Sequence, residues 1–294
     1  MINLLYVHDG GASREYWELM LPRMTELFAG FNYKQIDLVE YLAYNQDEFD
    51  FIVYHTFPDE THPWKYRKEL IVRTDKKFLK FTGIKILFDS RDATNDNGFP
   101  RFGVLFPRIK HCGGPEYSRK FDVIATVPGI LIKPVESKSG REVLVHCAFN
   151  TEGYFHNIRA DVMKILHESF QESTDFNRIR RGVYQDFLCN TYIAVSAPGY
   201  GDTSTTAYYA MNAGTCLFAH EAFNKLYIMP QVKLIDGEDY VSFNLDNMET
   251  KLRDLLSNLE KVQKIGESGR RKLIEGMNLD MSCWEFYGKL KEIG

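Results

Sequence analysis

Short apolar runs alternate with helical stretches from one end of this sequence to the other, and that alternation constrains the fold more than any other feature. Ile2–Val7 is an apolar run closed by His8-Asp9-Gly10-Gly11, and Ser13–Phe28 then carries Tyr16, Leu19, Met20, Met24 and Leu27 at helical spacing. Phe51–Tyr54 and Ile84–Phe88 read as further strands with a helical Lys65–Phe81 between them, and Phe121–Thr126 as another strand. Gly129–Arg141 breaks the pattern with Pro, Ser, Gly and Lys and reads as a linker. A second series comes next: strand Glu142–Ala148, helix Asn157–Phe170 with Ile158, Val162, Ile165 and Leu166 on one face, strand Ile193–Ala197, helix Thr203–Asn212 and strand Thr215–Ala219. Lys225–Met229 and Val232–Ile235 read as short extended pieces, and Met248–Leu259, Gly269–Met277 and Cys283–Ile293 as helices. Such alternation predicts an α/β protein whose mostly parallel sheets are covered on both faces. Its 294 residues suffice for two domains, expected at 1–128 and 142–294 with a linker at 129–141.

Composition narrows the function classes. A net charge of −4 excludes a polybasic binder of nucleic acid or membrane as a whole-chain description. Five dispersed cysteines with no C-x-x-C pair argue against a disulfide framework or structural zinc, and point to a reducing, cytoplasmic setting. The opening residues lack the basic lead and cleavage site of a signal peptide and read as a first strand. No window approaches the length of an apolar membrane span. Eight scattered histidines, with no H-x-x-x-H pair and no D-x-D, offer little to a metal.

In open α/β sheets ligands bind beyond the carboxyl ends of the strands, so the residues just past each strand are the candidates. After the first strand come His8, Asp9, Gly10 and Gly11. Two glycines let backbone approach a ligand, and His8 or Asp9 can serve as a base; the alternative is an ordinary turn with Ser13 as N-cap. After Ile84–Phe88 come Asp89, Ser90, Arg91 and Asp92, either the wall of a site or an internal Arg–carboxylate network. After Ile193–Ala197 come Pro198, Gly199, Tyr200, Gly201, Asp202, Thr203, Ser204 and Thr205: a Gly-x-Gly turn running into a helix opened by hydroxyl residues. Free N–H groups, hydroxyl donors and a helix N-terminus aimed at one spot describe a phosphate site. Gly214 is placed as that helix's C-cap, and Glu221 after the next strand can accept from ribose hydroxyls. An ordinary βαβ unit with a glycine turn remains the alternative. Arg159, just inside the helix after Glu142–Ala148, can counter a phosphate or sit on a helix surface.

The same loop nearly matches a dinucleotide fingerprint, with Ser204 where its third glycine would stand, and so admits an NAD(P)-dependent oxidoreductase as the second reading. A non-catalytic nucleotide- or nucleic-acid-binding module is a third. It would use Lys65–Lys85, where eight cations face only Glu69 and Asp75 with Trp64, Tyr66, Phe78 and Phe81 interleaved, a solvated face or a dock for a polyanion such as DNA.

From Glu142 onward the chain resembles GT-B nucleotide-sugar glycosyltransferases, especially the group-1-like families. The resemblance rests on Tyr184–Leu188 leading into Ile193–Ser196, on Pro198–Thr203, on Ala207–Phe218, and on Asp236–Tyr240 followed by Ile265–Leu273. It implies two Rossmann-like domains facing a cleft, with a nucleoside-diphosphate sugar, UDP-linked above all, in the second. It also implies that Gly199–Thr206 and Arg159 neutralise the leaving diphosphate without a metal. Gly10 and Gly11 would line the donor, and His8, Arg91 and Asp92 the acceptor, which the resemblance places in the first domain as a glycan or a hydroxylated DNA base. Asp9, and after it Asp89, would take the acceptor proton if the reaction inverts. One departure stands out: Thr206 and Tyr209 occupy positions where these families carry Arg and Glu.

Overall fold

The computed structural model describes residues 1–8, 14–55, 68–89, 108–110, 123–125, 135–136, 140–149, 157–198, 205–225, 233–276 and 279–294, with backbone alone at 14–16, 68, 88–89, 108–110, 123–125, 157, 181, 205 and 225. The chain divides into two compact units, Met1–Leu131 with Asn278–Gly294 and Ile132–Met277. This differs from the sequence expectation at the C-terminal end. The sequence puts the last helix in the second domain, whereas its apolar face is spent on the first unit.

The first unit is built on a parallel sheet of order β2-β1-β3-β4-β5-β6, from Phe31–Asp37, Ile2–His8, Phe51–His55, Ile84–Asp89, Arg108–Lys110 and Val123–Ala125. Leu4, Leu5, Tyr6 and Val7 are all buried, as a central parallel strand covered on both faces requires. Helix α1 (Arg14–Leu27) buries Trp17, Met20, Leu21 and Met24, the i, i+3, i+4, i+7 stripe of an amphipathic helix. Asp37 ends β2 and caps α2 (Leu38–Ala43), its carboxylate accepting from the Val39 and Glu40 N–H groups at 2.8 Å each. Helix α3 (Lys68–Lys80) packs Thr74, Asp75 and Phe78 inward, with the Tyr54 hydroxyl donating to Asp75 at 2.7 Å.

The second unit repeats the plan. Its parallel sheet runs β11-β10-β9-β7-β8, from Val241–Phe243, Cys216–His220, Thr191–Ser196, Val143–His146 and Thr174–Asp175. Helices α4 (Asn157–Ser169), α7 (Met248–Ser257) and the first half of α8 (Leu259–Gly276) cover one face, where Val145, Ile193, Val195, Cys216 and Phe218 meet Val162, Leu166, Leu252 and Val262. Helices α5 (Arg181–Cys189) and α6 (Thr205–Asn212) cover the other, where Ala194, Leu217 and Ala219 meet Leu188, Ala207, Ala210 and Met211. Small side chains on that face let α6 lie close to the sheet.

The turn after α6 holds this unit together. Gly214 takes φ +66°, the left-handed conformation that its expected role as a C-cap demands. Its carbonyl is so close to α8 that a Cβ on Gly266 would fall 2.2 Å from it. Buried Arg141 gathers the same corner: Nη1 donates to the carbonyls of Leu188 and Thr191 and to Thr215 Oγ1, and Nη2 to the carbonyls of Ala213 at 3.0 Å and Gly214 at 2.9 Å. A residue that reads as the end of a linker is therefore the anchor of a domain corner.

The final helix α9 (Leu279–Ile293) packs on α1. Phe286 meets Trp17 edge-on at 5.3 Å, and Tyr287 stacks on Phe28 at 3.9 Å. The Arg23 guanidinium grips Asp280 through two hydrogen bonds of 2.6 and 2.8 Å.

Candidate functional site

Each sheet reverses its strand order at one place, and that place selects the residues that can meet a ligand. In the second unit the order turns between β7 and β9. The carboxyl end of β7 brings His146, Cys147 and Phe149, and that of β9 brings Ser196 and Ala197. Arg159, in the first turn of α4, reaches this edge. Its Nε and Nη2 donate to the Ala197 carbonyl at 3.3 and 3.2 Å, and the guanidinium lies over the Phe149 ring at 5.2 Å. Burial pulls the Arg159 pKa below the usual arginine value, and no carboxylate pairs with it among the described residues. A half-buried cation held by a neutral carbonyl is poised for an incoming anion.

His146 is buried beside it on the other face of β7, its ring 4.8 Å from Phe187 and 5.7 Å from Tyr184. Neither ring nitrogen has a well-aligned hydrogen-bond partner. Burial lowers its pKa, while the charge and main chain of Asp175 pull the other way. The imidazole is thus held neutral. Cys147, facing α4, is inert as a nucleophile, because burial holds its thiol far above the usual range.

The two positions that depart from the resembled families are both tied to α5. Thr206 Oγ1 accepts from the Tyr184 hydroxyl at 3.4 Å. The Tyr209 carbonyl accepts from the Gln185 amide at 2.9 Å, and its ring stands edge-on to Tyr184. Hydroxyl and aromatic groups stand here in place of a cation and a carboxylate.

Glu221 is exposed at the start of a single 3₁₀ turn, Glu221–Lys225, after β10. That strand pairs in parallel with β9 in the register Ala219–Ser196, so its carboxyl end opens on the same sheet edge as Ala197, one strand further from the switch point. Gly199, Tyr200, Gly201, Thr203 and Ser204 lie outside the described residues, and Thr205 is described only as the first residue of α6.

In the first unit the switch lies between β1 and β3. His8 ends β1, buried, and one step past the Val7–Tyr54 pair in register stands His55 at the end of β3, also buried. The Tyr6 hydroxyl lies 3.4 Å from His55 Nδ1, and Tyr6 stacks on Trp17 at 4.8 Å. His55 is not among the sequence candidates, although it is the residue immediately past the expected strand Phe51–Tyr54 and so meets the same strand-end criterion as His8. Asp9, Gly10, Gly11, Arg91 and Asp92 lie outside the described residues, and Asp89 is described only as the last residue of β4.

The basic stretch divides. Lys65 and Arg67 lie outside the described residues, and Lys77 turns inward, where Nζ donates to the Leu42 and Tyr44 carbonyls at the end of α2. Burial lowers the Lys77 pKa. Among the described residues no group of three or more His, Cys, Asp or Glu side chains gathers as a metal site would.

No family model matches the chain, and no curated protein matches its sequence. Solved structures do. The chain is similar to Anabaena HepE in complex with UDP, with a TM-score of 0.63 at 10% identity over 99% of this chain and 100% of that one. HepE in complex with UDP-glucose gives a TM-score of 0.59 over the same shares at 10% identity. A glycosyltransferase from Rickettsia africae gives 0.60 at 9% identity over 99% and 98%. S. aureus TarM gives 0.55 at 10% identity, and there the match covers 86% of this chain but only 58% of TarM. At these identities what is shared is the fold, α/β with parallel sheets and of the GT-B type.

Proposed function

We propose that this chain transfers a sugar from a nucleoside-diphosphate sugar, a UDP-sugar foremost, to an acceptor hydroxyl, and needs no metal to do so. The observation that carries the proposal is Arg159. It is fixed to the Ala197 carbonyl at the strand-order reversal of the second unit, and no carboxylate among the described residues neutralises it. Ala197 stands a few residues before α6 in sequence, with Gly199 and Gly201 in the intervening sequence, so a diphosphate at this edge would meet a guanidinium close in sequence to a helix N-terminus. HepE, which shares the fold, has been solved with UDP and with UDP-glucose.

In this reading the bond between the sugar's anomeric carbon and the β-phosphate oxygen breaks, and UDP leaves with both electrons of that bond. The acceptor oxygen bonds to the anomeric carbon and gives up its proton. Arg159 stabilises the negative charge that grows on the diphosphate, which is where transition-state stabilisation is most effective. The first unit binds the acceptor. Asp9 comes directly after His8 at the switch strand β1, whereas Asp89 ends β4, two strands away, so Asp9 is the first choice for the proton acceptor if the reaction inverts.

The test is UDP release from a panel of UDP-sugars, each with and without EDTA. The proposal expects slow hydrolysis of at least one donor that EDTA leaves unchanged, water standing in for the acceptor. Absence of UDP release from every donor, or release abolished by EDTA and restored by a divalent ion, contradicts it.

A further inference from the structure

The outer face of α9 carries two features that the packing of the first unit does not account for. The first is Trp284, the one exposed aromatic among the described side chains, 59% open to solvent. It is held in place nonetheless. Its ring stands edge-on to Phe28 at 4.6 Å, and Phe28 is stacked on Tyr287, so the indole is oriented before any partner arrives. The second is Gly288, one turn further along. A glycine inside a helix costs stability relative to alanine, and close approach of another group is what explains one. Gly266 and Gly269 in α8 have such neighbours, each with main-chain oxygen 2.2 Å from where a Cβ would stand. Around Gly288 the rest of the chain places no atom within 4 Å of that position. Met281, Trp284, Gly288 and Lys291 recur at helical spacing and form one stripe, opposite the buried Cys283, Phe286 and Leu290.

A fixed aromatic knob and an open notch, about 6 Å apart along one helix, are self-complementary. Turning a second α9 end for end sets each Trp284 over the Gly288 of the other copy, so a two-fold axis level with position 286 uses both features twice, as an isologous interface requires. Charge fits the same arrangement. At the start of α9 the single cation Arg23 serves two carboxylates, Asp280 and Glu26, which leaves that end net negative. Toward the other end Lys289 pairs with Glu292, while Lys291 lies over the Tyr287 ring at 4.7 Å and meets no carboxylate among the described residues. Antiparallel helices bring Lys291 of each copy to the negative end of the other, its stem lying along Met281. We infer that the Trp284–Gly288 face joins two copies of this chain in a two-fold dimer with the α9 helices antiparallel. One helix face per copy is a small interface, so the dimer is reversible, with micromolar affinity. The inference stands apart from the sugar-transfer reading and is tested without any sugar donor.

The experiment is sedimentation velocity of the full chain from low micromolar to several hundred micromolar concentration. The weight-average sedimentation coefficient should climb from the monomer value toward that of a dimer and no further. Trp284→Ser should weaken association on the order of 100-fold, because each dimer loses the anchor twice. Gly288→Ala is the discriminating variant. It should weaken association about tenfold by filling the notch, while the dilute monomer melts at the same or a higher temperature because alanine favours the helix. Lys291→Glu should weaken association several-fold and reduce its sensitivity to salt. Val39→Ser removes another exposed apolar side chain, 66% exposed on α2, and should change nothing. The melting temperature of each variant at low concentration reports that it folds. A chain that stays monomeric at the highest concentration overturns the inference, as does a dimer indifferent to Trp284→Ser and Gly288→Ala. A monomer that floats with phospholipid vesicles through Trp284 would hand the face to lipid and overturn it as well.

Discussion

Arg159, Arg141 and His146 each carry a distinct physical burden, and each can be tested alone. Arg159→Met keeps much of the side-chain volume and removes the charge, so UDP should bind about 10–100-fold more weakly, the worth of a charged hydrogen bond, with the protein's own stability little changed. A titration by calorimetry reads this directly. Arg141→Met leaves four carbonyls and the Thr215 hydroxyl without the buried donor that serves them, and should cost about 3 kcal/mol or more in denaturant unfolding. His146 is held neutral by burial, with its pKa below the usual 6.5. The unfolded chain protonates this histidine as pH falls through its ordinary range and the folded chain does not. Stability is therefore full above about pH 6.5 and falls toward the lowered folded value, by at most about 1.4 kcal/mol per pH unit. Unfolding of wild type and His146→Phe at matched pH values should show that slope in their difference. The position of Arg159 was legible because it stands just inside the helix that comes after a strand, a local pattern. Arg141 was not, since its acceptors lie 47 to 74 residues further along the chain. His146 was hidden within a run that reads simply as a strand.

Legibility among the elements tracked burial. Strand β1, α4 and β9 announce themselves by continuous or periodic apolar residues, and the structure places them at Ile2–His8, Asn157–Ser169 and Thr191–Ser196, within two residues of expectation. Strand β2 was unread because Phe31–Asp37 is an edge strand with only Phe31 and Ile36 buried, and its polar text carries no strand signal. The stretch 260–268 was unread as helix because Gly266 interrupts it, yet Gly266 is the residue that lets α8 reach the Gly214 turn. Gly266→Ala pushes a methyl group into main-chain atoms that cannot give way, and should destabilise the second unit by about 1–3 kcal/mol, visible as a lowered denaturation midpoint. The α1–α9 seam behaves differently. The Arg23–Asp280 pair is solvent-exposed and contributes little to stability, whereas the Trp17–Phe286 and Phe28–Tyr287 ring contacts carry the packing.

The whole molecule shows a symmetry that its text hides. Both units wind their first five strands in one order, with the second strand outside the first and the third, fourth and fifth on the other side. Strand order is decided by pairing across long sequence separations, so no local pattern prints it. The same holds for the return of α9 to the unit of α1, against an expectation that keeps it in the second half. The order matters because it fixes the two reversals, and these decide which strand ends can bear chemistry: His8 and His55 in one unit, His146, Ala197 and Arg159 in the other. The loop that also admits a dinucleotide comes after β9, the third strand of its unit. NADH fluorescence should accordingly be unaffected by the protein, and a saturable change would favour the oxidoreductase reading. The most direct test of the central claim, a nucleotide site at the second unit's reversal, is the melting temperature of wild type and Arg159→Met titrated with UDP in EDTA. The account predicts saturable stabilisation of the wild type that the variant loses or needs far more UDP to reach. A wild type indifferent to UDP, or a variant stabilised equally, contradicts it.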